Sequence, residues 1–83
     1  MTEKRIGVVS IIITSRESQA PRVNDIISEY GDMIIGRMGL PYAPKNIHII
    51  SLIIHGSTDE IGAMTGKLGL LSGVQVKSAL TKA

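Results

Sequence analysis

Residues Ile47 to Ile54 read Ile-His-Ile-Ile-Ser-Leu-Ile-Ile, and this run constrains the fold more than any other stretch. It is too short to cross a bilayer and rich in β-branched residues, so it predicts a strand buried on both faces. A second segment, Arg5 to Thr14, has the same character. Ile6, Val8, Ser10 and Ile12 fall on one side, and Val9, Ile11 and Ile13 on the other. Two strands that are apolar on both faces both belong at the centre of a sheet.

The flanking segments supply the other elements. After Ile54 comes His55-Gly56-Ser57-Thr58-Asp59-Glu60. Ser57 followed three residues later by Glu60 is a capping-box pattern, and Asp59 and Glu60 suit the positive end of a helix. The predicted helix runs from Thr58 to Ser72, with Ile61, Met64, Leu68 and Leu71 on one face and Gly73 as its stop. Val74 to Leu80 alternates as a strand does. Upstream, Thr14 to Glu17 reads as a polar connection, and Ser18 caps a helix from Gln19 to Tyr30 with Pro21 in its first turn. Val23, Ile26, Ile27 and Tyr30 form its inward stripe, and Gly31 ends it. Met33 to Leu40 is a further strand, in which Gly36 and Gly39 signal a bulge or an edge position. Pro41 to Lys45 is a turn.

The order is βαββαβ, the ferredoxin-like α+β fold. It predicts a four-stranded antiparallel sheet with strand order 4-1-3-2 and two helices on one face. Two helices cover one face only, yet strands one and three are apolar on both. A soluble monomer rarely exposes so large an apolar surface. The sequence therefore predicts at least a homodimer, joined through the face away from the helices, with edge pairing as a route to a homotetramer.

Eighty-three residues, 1–83, suit one small domain. Fourteen are isoleucine, and there is no Trp, Phe or Cys. Disulfides and thiolate metal sites are thereby excluded, which fits a reducing cytoplasm. No signal peptide is expected, because the first apolar run follows charged residues and breaks at Thr14-Ser15-Arg16; no membrane span is expected either. The net charge of +2 is scattered, and Tyr30 and Tyr42 are the only aromatics. Nucleic-acid surfaces cluster Lys and Arg with stacking aromatics, and the fold leaves no segment for a helix-turn-helix, so direct nucleic-acid binding is not expected.

The segment from Gly56 to Gly69, followed by Ser72-Gly73-Val74-Gln75-Val76-Lys77, has a distinctive pattern: Ile-Gly-Ala-x-x-Gly-Lys-Leu-Gly, then Gly-Val-x-Val-Lys. With Arg37-Met38-Gly39-Leu40-Pro41 and Glu3-Lys4-Arg5, it resembles a family of short bacterial proteins assigned to regulation of the iron-only hydrogenase system. That family is similar in fold to the ACT domain and to the ligand-binding domain of nickel-responsive repressors. The resemblance covers nearly the whole chain and implies one ACT-like regulatory domain.

Few residues suggest chemistry. Gly62, Gly66 and Gly69 lie on one side of the second helix, where each costs roughly 1 kcal/mol relative to Ala. Close packing against another element is the expected reason, with access for a ligand as the alternative. Gly66-Lys67-Leu68 lies inside a helix and is no phosphate-binding loop. His48 and His55 are seven apart on one strand and so point to opposite faces. A single chain does not bring both to one metal, and no Cys completes the soft site of a nickel-responsive repressor, so neither metal nor cofactor is expected. Ser10 and Ser51 lie mid-strand, where a buried hydroxyl needs a partner, supplied by a neighbouring side chain or across a subunit interface. Neither has a Ser–His–Asp signature. Thr14-Ser15-Arg16-Glu17 lacks the glycine loop of an acylphosphatase.

With no nucleophile–base pair and no ligand cluster, the expected function is non-enzymatic. The leading reading is a regulatory module that binds a small amino-acid-like or anionic ligand at a subunit interface. By resemblance to ACT-like domains, the candidate ligand residues are Thr14, Ser15 and Arg16 after strand one, or His55, Gly56 and Ser57 before the second helix. A carboxylate could pair with Arg16 or meet helix N–H groups. The alternative is an oligomer that docks on another protein and binds no metabolite.

Overall fold

The computed structural model describes the backbone of residues 3–14 and 16–82, and their side chains apart from residues 16–18. The elements are β1 (Lys4–Ile13), α1 (Arg16–Glu29), β2 (Ile34–Tyr42), β3 (Ile47–Ser57), α2 (Thr58–Gly69) and β4 (Val74–Leu80). Short 3-10 turns, Gly31–Met33 and Ala43–Lys45, lie on either side of β2. The sheet is antiparallel with order β2-β3-β1-β4, so the fold is ferredoxin-like and the two most apolar strands are its centre.

Alternation divides β1 and β3 as their patterns require. Val9, Ile11 and Ile13 of β1 and Ile50, Leu52 and Ile54 of β3 are buried beneath the helices. Val23 and Ile27 of α1 and Ile61, Met64 and Leu68 of α2 close the same core. Fully burying one such side chain contributes about 1.5–3 kcal/mol, so this layer is the main source of stability.

The capping box of α2 forms as expected. The Ser57 hydroxyl accepts from the Glu60 backbone N–H at 3.1 Å, and the Glu60 carboxylate accepts from the Ser57 N–H at 3.2 Å. The exposed Lys67 ammonium pairs with Glu29 of α1 and lies 5.1 Å from the centre of the Tyr30 ring, tying the two helices together.

Several boundaries differ from expectation. Helix α1 starts at Arg16, so Pro21 lies inside it and not in its first turn. Helix α2 stops at Gly69, and Gly73 (φ 74°) instead shapes the turn into β4. There the Thr14 N–H and hydroxyl both donate to the Gly73 carbonyl, at 2.8 and 3.0 Å, joining the end of β1 to the start of β4. Strand β2 extends to Tyr42, because Pro41 is tolerated on an edge strand. Its register shifts between Ile34 and Gly36, so the bulge and the edge position signalled by the glycines both occur.

Candidate functional site

The two groups of candidate ligand residues lie at opposite ends of the sheet. His55 pairs with Ile6 near the start of β1, whereas Thr14 follows the last residue of that strand. Eight residues at the strand rise separate them by about 27 Å. One chain therefore does not join the two groups into one site.

At the α2 end, two of the three residues have structural tasks. The Ser57 hydroxyl is engaged in the capping box, which also holds the Glu60 carboxyl below its ordinary pKa through hydrogen bonds from the Ser57 backbone and side chain. Gly56 is buried against Met33: a Cβ there would lie 2.8 Å from the Met33 sulfur. His55 is exposed at the end of the helix-free face. At the other end, the Thr14 hydroxyl is bound to Gly73. Ser15 and the Arg16 side chain lie outside the described residues.

The helix-free face is apolar over three strands. Ile6, Val8 and Ile12 of β1 lie beside Ile49 and Ile53 of β3, followed by Met38, Leu40 and Tyr42 of β2. Val8 is 45% exposed, Ile53 46%, Leu40 52% and Met38 72%, against 0% for Val9 and Leu52 one residue away. Ser10 and Ser51 sit opposite each other in the middle of this face, with Met38 on one side and Lys77 on the other. They are not the buried hydroxyls that their strands suggested, because nothing among the described residues covers that face above them. Ser10 is exposed and Ser51 half-buried.

The glycines of α2 also differ from expectation. A Cβ added at Gly62, Gly66 or Gly69 would meet nothing within 4 Å. They face outward, and the close approach expected of them does not occur among the described residues.

On the helix side, one end of the sheet holds a cavity of about 200 Å3 lined by Ile13, Ala20, Asn24, Arg37, His48 and Ile50. Arg37 reaches it because β2 turns that residue toward the helices, opposite Leu52. Its guanidinium donates to Asn24 Oδ1 at 2.6 Å. His48 faces this cavity and His55 the opposite side, as their spacing requires. Among the described residues, no three His, Asp or Glu side chains converge as metal ligands would. The sequence reading did not join Asn24, Arg37 and His48, which come from three elements. The available signal was the inward parity of Arg37 on β2.

Residues 5–78 match the family model described as "TM1266-like: Iron-only hydrogenase system regulator, putative". The chain belongs to this TM1266-like family. The match runs from the start of β1 almost to the end of β4, so it takes in every element described above. A solved structure, "The structure of uncharacterized protein TM1266 from Thermotoga maritima", is 38% identical with a TM-score of 0.92. The similarity covers 96% of this chain and 100% of that one. No curated protein matches. The resemblance in the α2 segment and in Arg37 to Pro41 thus identified the TM1266-like family correctly.

Proposed function

We propose that this chain is a non-enzymatic, cytoplasmic regulatory module of the iron-only hydrogenase system. It works as a homo-oligomer and binds a small amino-acid-like or anionic ligand at a subunit interface. The family description supports the regulatory role. The open face of the sheet is the observation that carries the assembly. Val8 and Ile53, each nearly half exposed, have roughly half of the 1.5–3 kcal/mol of full burial still to gain. A second copy laid face to face, with sheets about 10 Å apart, supplies that burial and a polar centre for Ser10 and Ser51. His55, at the end of this face, is the candidate that such pairing brings closest to a shared site.

Native mass spectrometry of the protein purified from its host tests this reading. An oligomer carrying a small molecule supports it. A ligand-free oligomer that retains a second protein favours the docking alternative, and a bare monomer of 8.9 kDa overturns it.

A further inference from the structure

The cavity on the helix side is unrelated to the pairing of sheets. Ile13, Ile50 and Ala20 give it an apolar wall, while Arg37, Asn24 and His48 supply polar groups. None of the described lining residues is acidic, and Arg37 contributes a positive charge.

The polar groups are arranged for an acceptor ligand. Asn24 Oδ1 takes one guanidinium proton of Arg37, which orients the fork; its other N–H groups have no partner among the described residues. Asn24 keeps its own amide donors. His48 Nδ1 is a buried atom with no hydrogen-bond partner among the described residues. Buried polar atoms in native proteins nearly always have a partner. Gly39 allows this placement: a Cβ there would lie 3.3 Å from His48 Nε2, tight against the imidazole.

Size narrows the ligand. The cavity, about 200 Å3 and partly open to solvent, has room for a small organic molecule. That is the scale of an acid with a short branched aliphatic tail, and the apolar wall favours such a tail over a bare inorganic anion.

From this geometry we infer that the cavity between α1 and the β2–β3 side of the sheet binds a short-chain aliphatic carboxylate. The carboxylate meets Arg37, and the tail lies against Ile13 and Ile50. The described lining all comes from one chain, on the face opposite the proposed subunit contact.

Methyl NMR of the full chain, with labelled isoleucines, tests the inference. Isovalerate, isoamyl alcohol and inorganic phosphate are titrated separately. Isovalerate should shift the Ile13 and Ile50 methyl signals saturably in the millimolar range, well ahead of the alcohol and phosphate. Arg37→Gln should weaken isovalerate binding about tenfold or more, as expected for loss of a charge-assisted contact. Ala20→Leu, which keeps Arg37 but fills the tail space, should also abolish it. Unchanged signals from Ile61 and Ile27 report that each variant is folded. The inference is overturned by an absence of saturable shifts or by equal response to phosphate or the alcohol. Isovalerate binding left undiminished by either substitution also overturns it. Sedimentation reports the sheet contact separately, so failure here leaves that reading intact.

Discussion

Glycine-to-alanine substitutions at two kinds of position should change stability in opposite directions. Gly62 and Gly66 lie inside α2 with open space where a Cβ would go. Alanine there removes backbone freedom from the unfolded chain and raises helix propensity, worth about 0.4–1 kcal/mol per site. Neither added methyl meets a described group beyond the helix's own backbone, so the double variant should gain about 0.8–2 kcal/mol. Gly56→Ala places a Cβ 2.8 Å from the sulfur and 3.1 Å from the Cβ of buried Met33. Met33 is held by its 3-10 turn, and its flexible end can yield only partly, so overpacking should cost about 1–3 kcal/mol. For a domain of this size, 1 kcal/mol corresponds to about 4–8 °C in Tm. Thermal unfolding followed by circular dichroism checks both, at one fixed protein concentration because assembly adds to apparent stability. A fall in Tm for Gly62→Ala/Gly66→Ala would refute the reasoning and show that the outer face of α2 packs against something in the assembly. Unchanged stability in Gly56→Ala would show that Met33 does not bear on that glycine as described.

Two further outcomes follow from the α2 cap. Ser57→Ala should lower stability by about 0.5–2 kcal/mol in chemical denaturation, because the Glu60 N–H loses its acceptor. The depressed Glu60 pKa sets the direction of a pH effect: its contribution is present above the ordinary glutamate value of 4.5 and is lost as pH falls through the lower folded value. The stability of the wild type relative to Glu60→Gln should therefore decline on acidification below 4.5, and a constant difference across that range would rule out the charged carboxylate as the capping group.

The sheet was legible because its two central strands are apolar on both faces, which fixed their position and, with the element order, the topology. The α2 cap was legible because Ser57 and Glu60 interact locally. Helix ends were less so. Pro21 suggested a first turn, but α1 gains another turn upstream, and Gly73 signals a positive φ without specifying whether a helix or a later turn uses it. The outward direction of Gly62 and Gly66 could not be read, since small residues mark both tight packing and open surface. The cavity was hidden because Asn24, Arg37 and His48 meet only once the β2 register and the placement of α1 are known.

Pairing of open sheet faces is the central claim, and sedimentation equilibrium across micromolar concentrations tests it most directly, with Ile53→Lys measured alongside. Lysine at the middle of the face would bury an ammonium without a partner, a strongly unfavourable placement. The account predicts a mass at least twice 8.9 kDa for the wild type and a shift toward the monomer for a still-folded Ile53→Lys. A monomeric wild type, or an oligomer unaffected by that lysine, would contradict it.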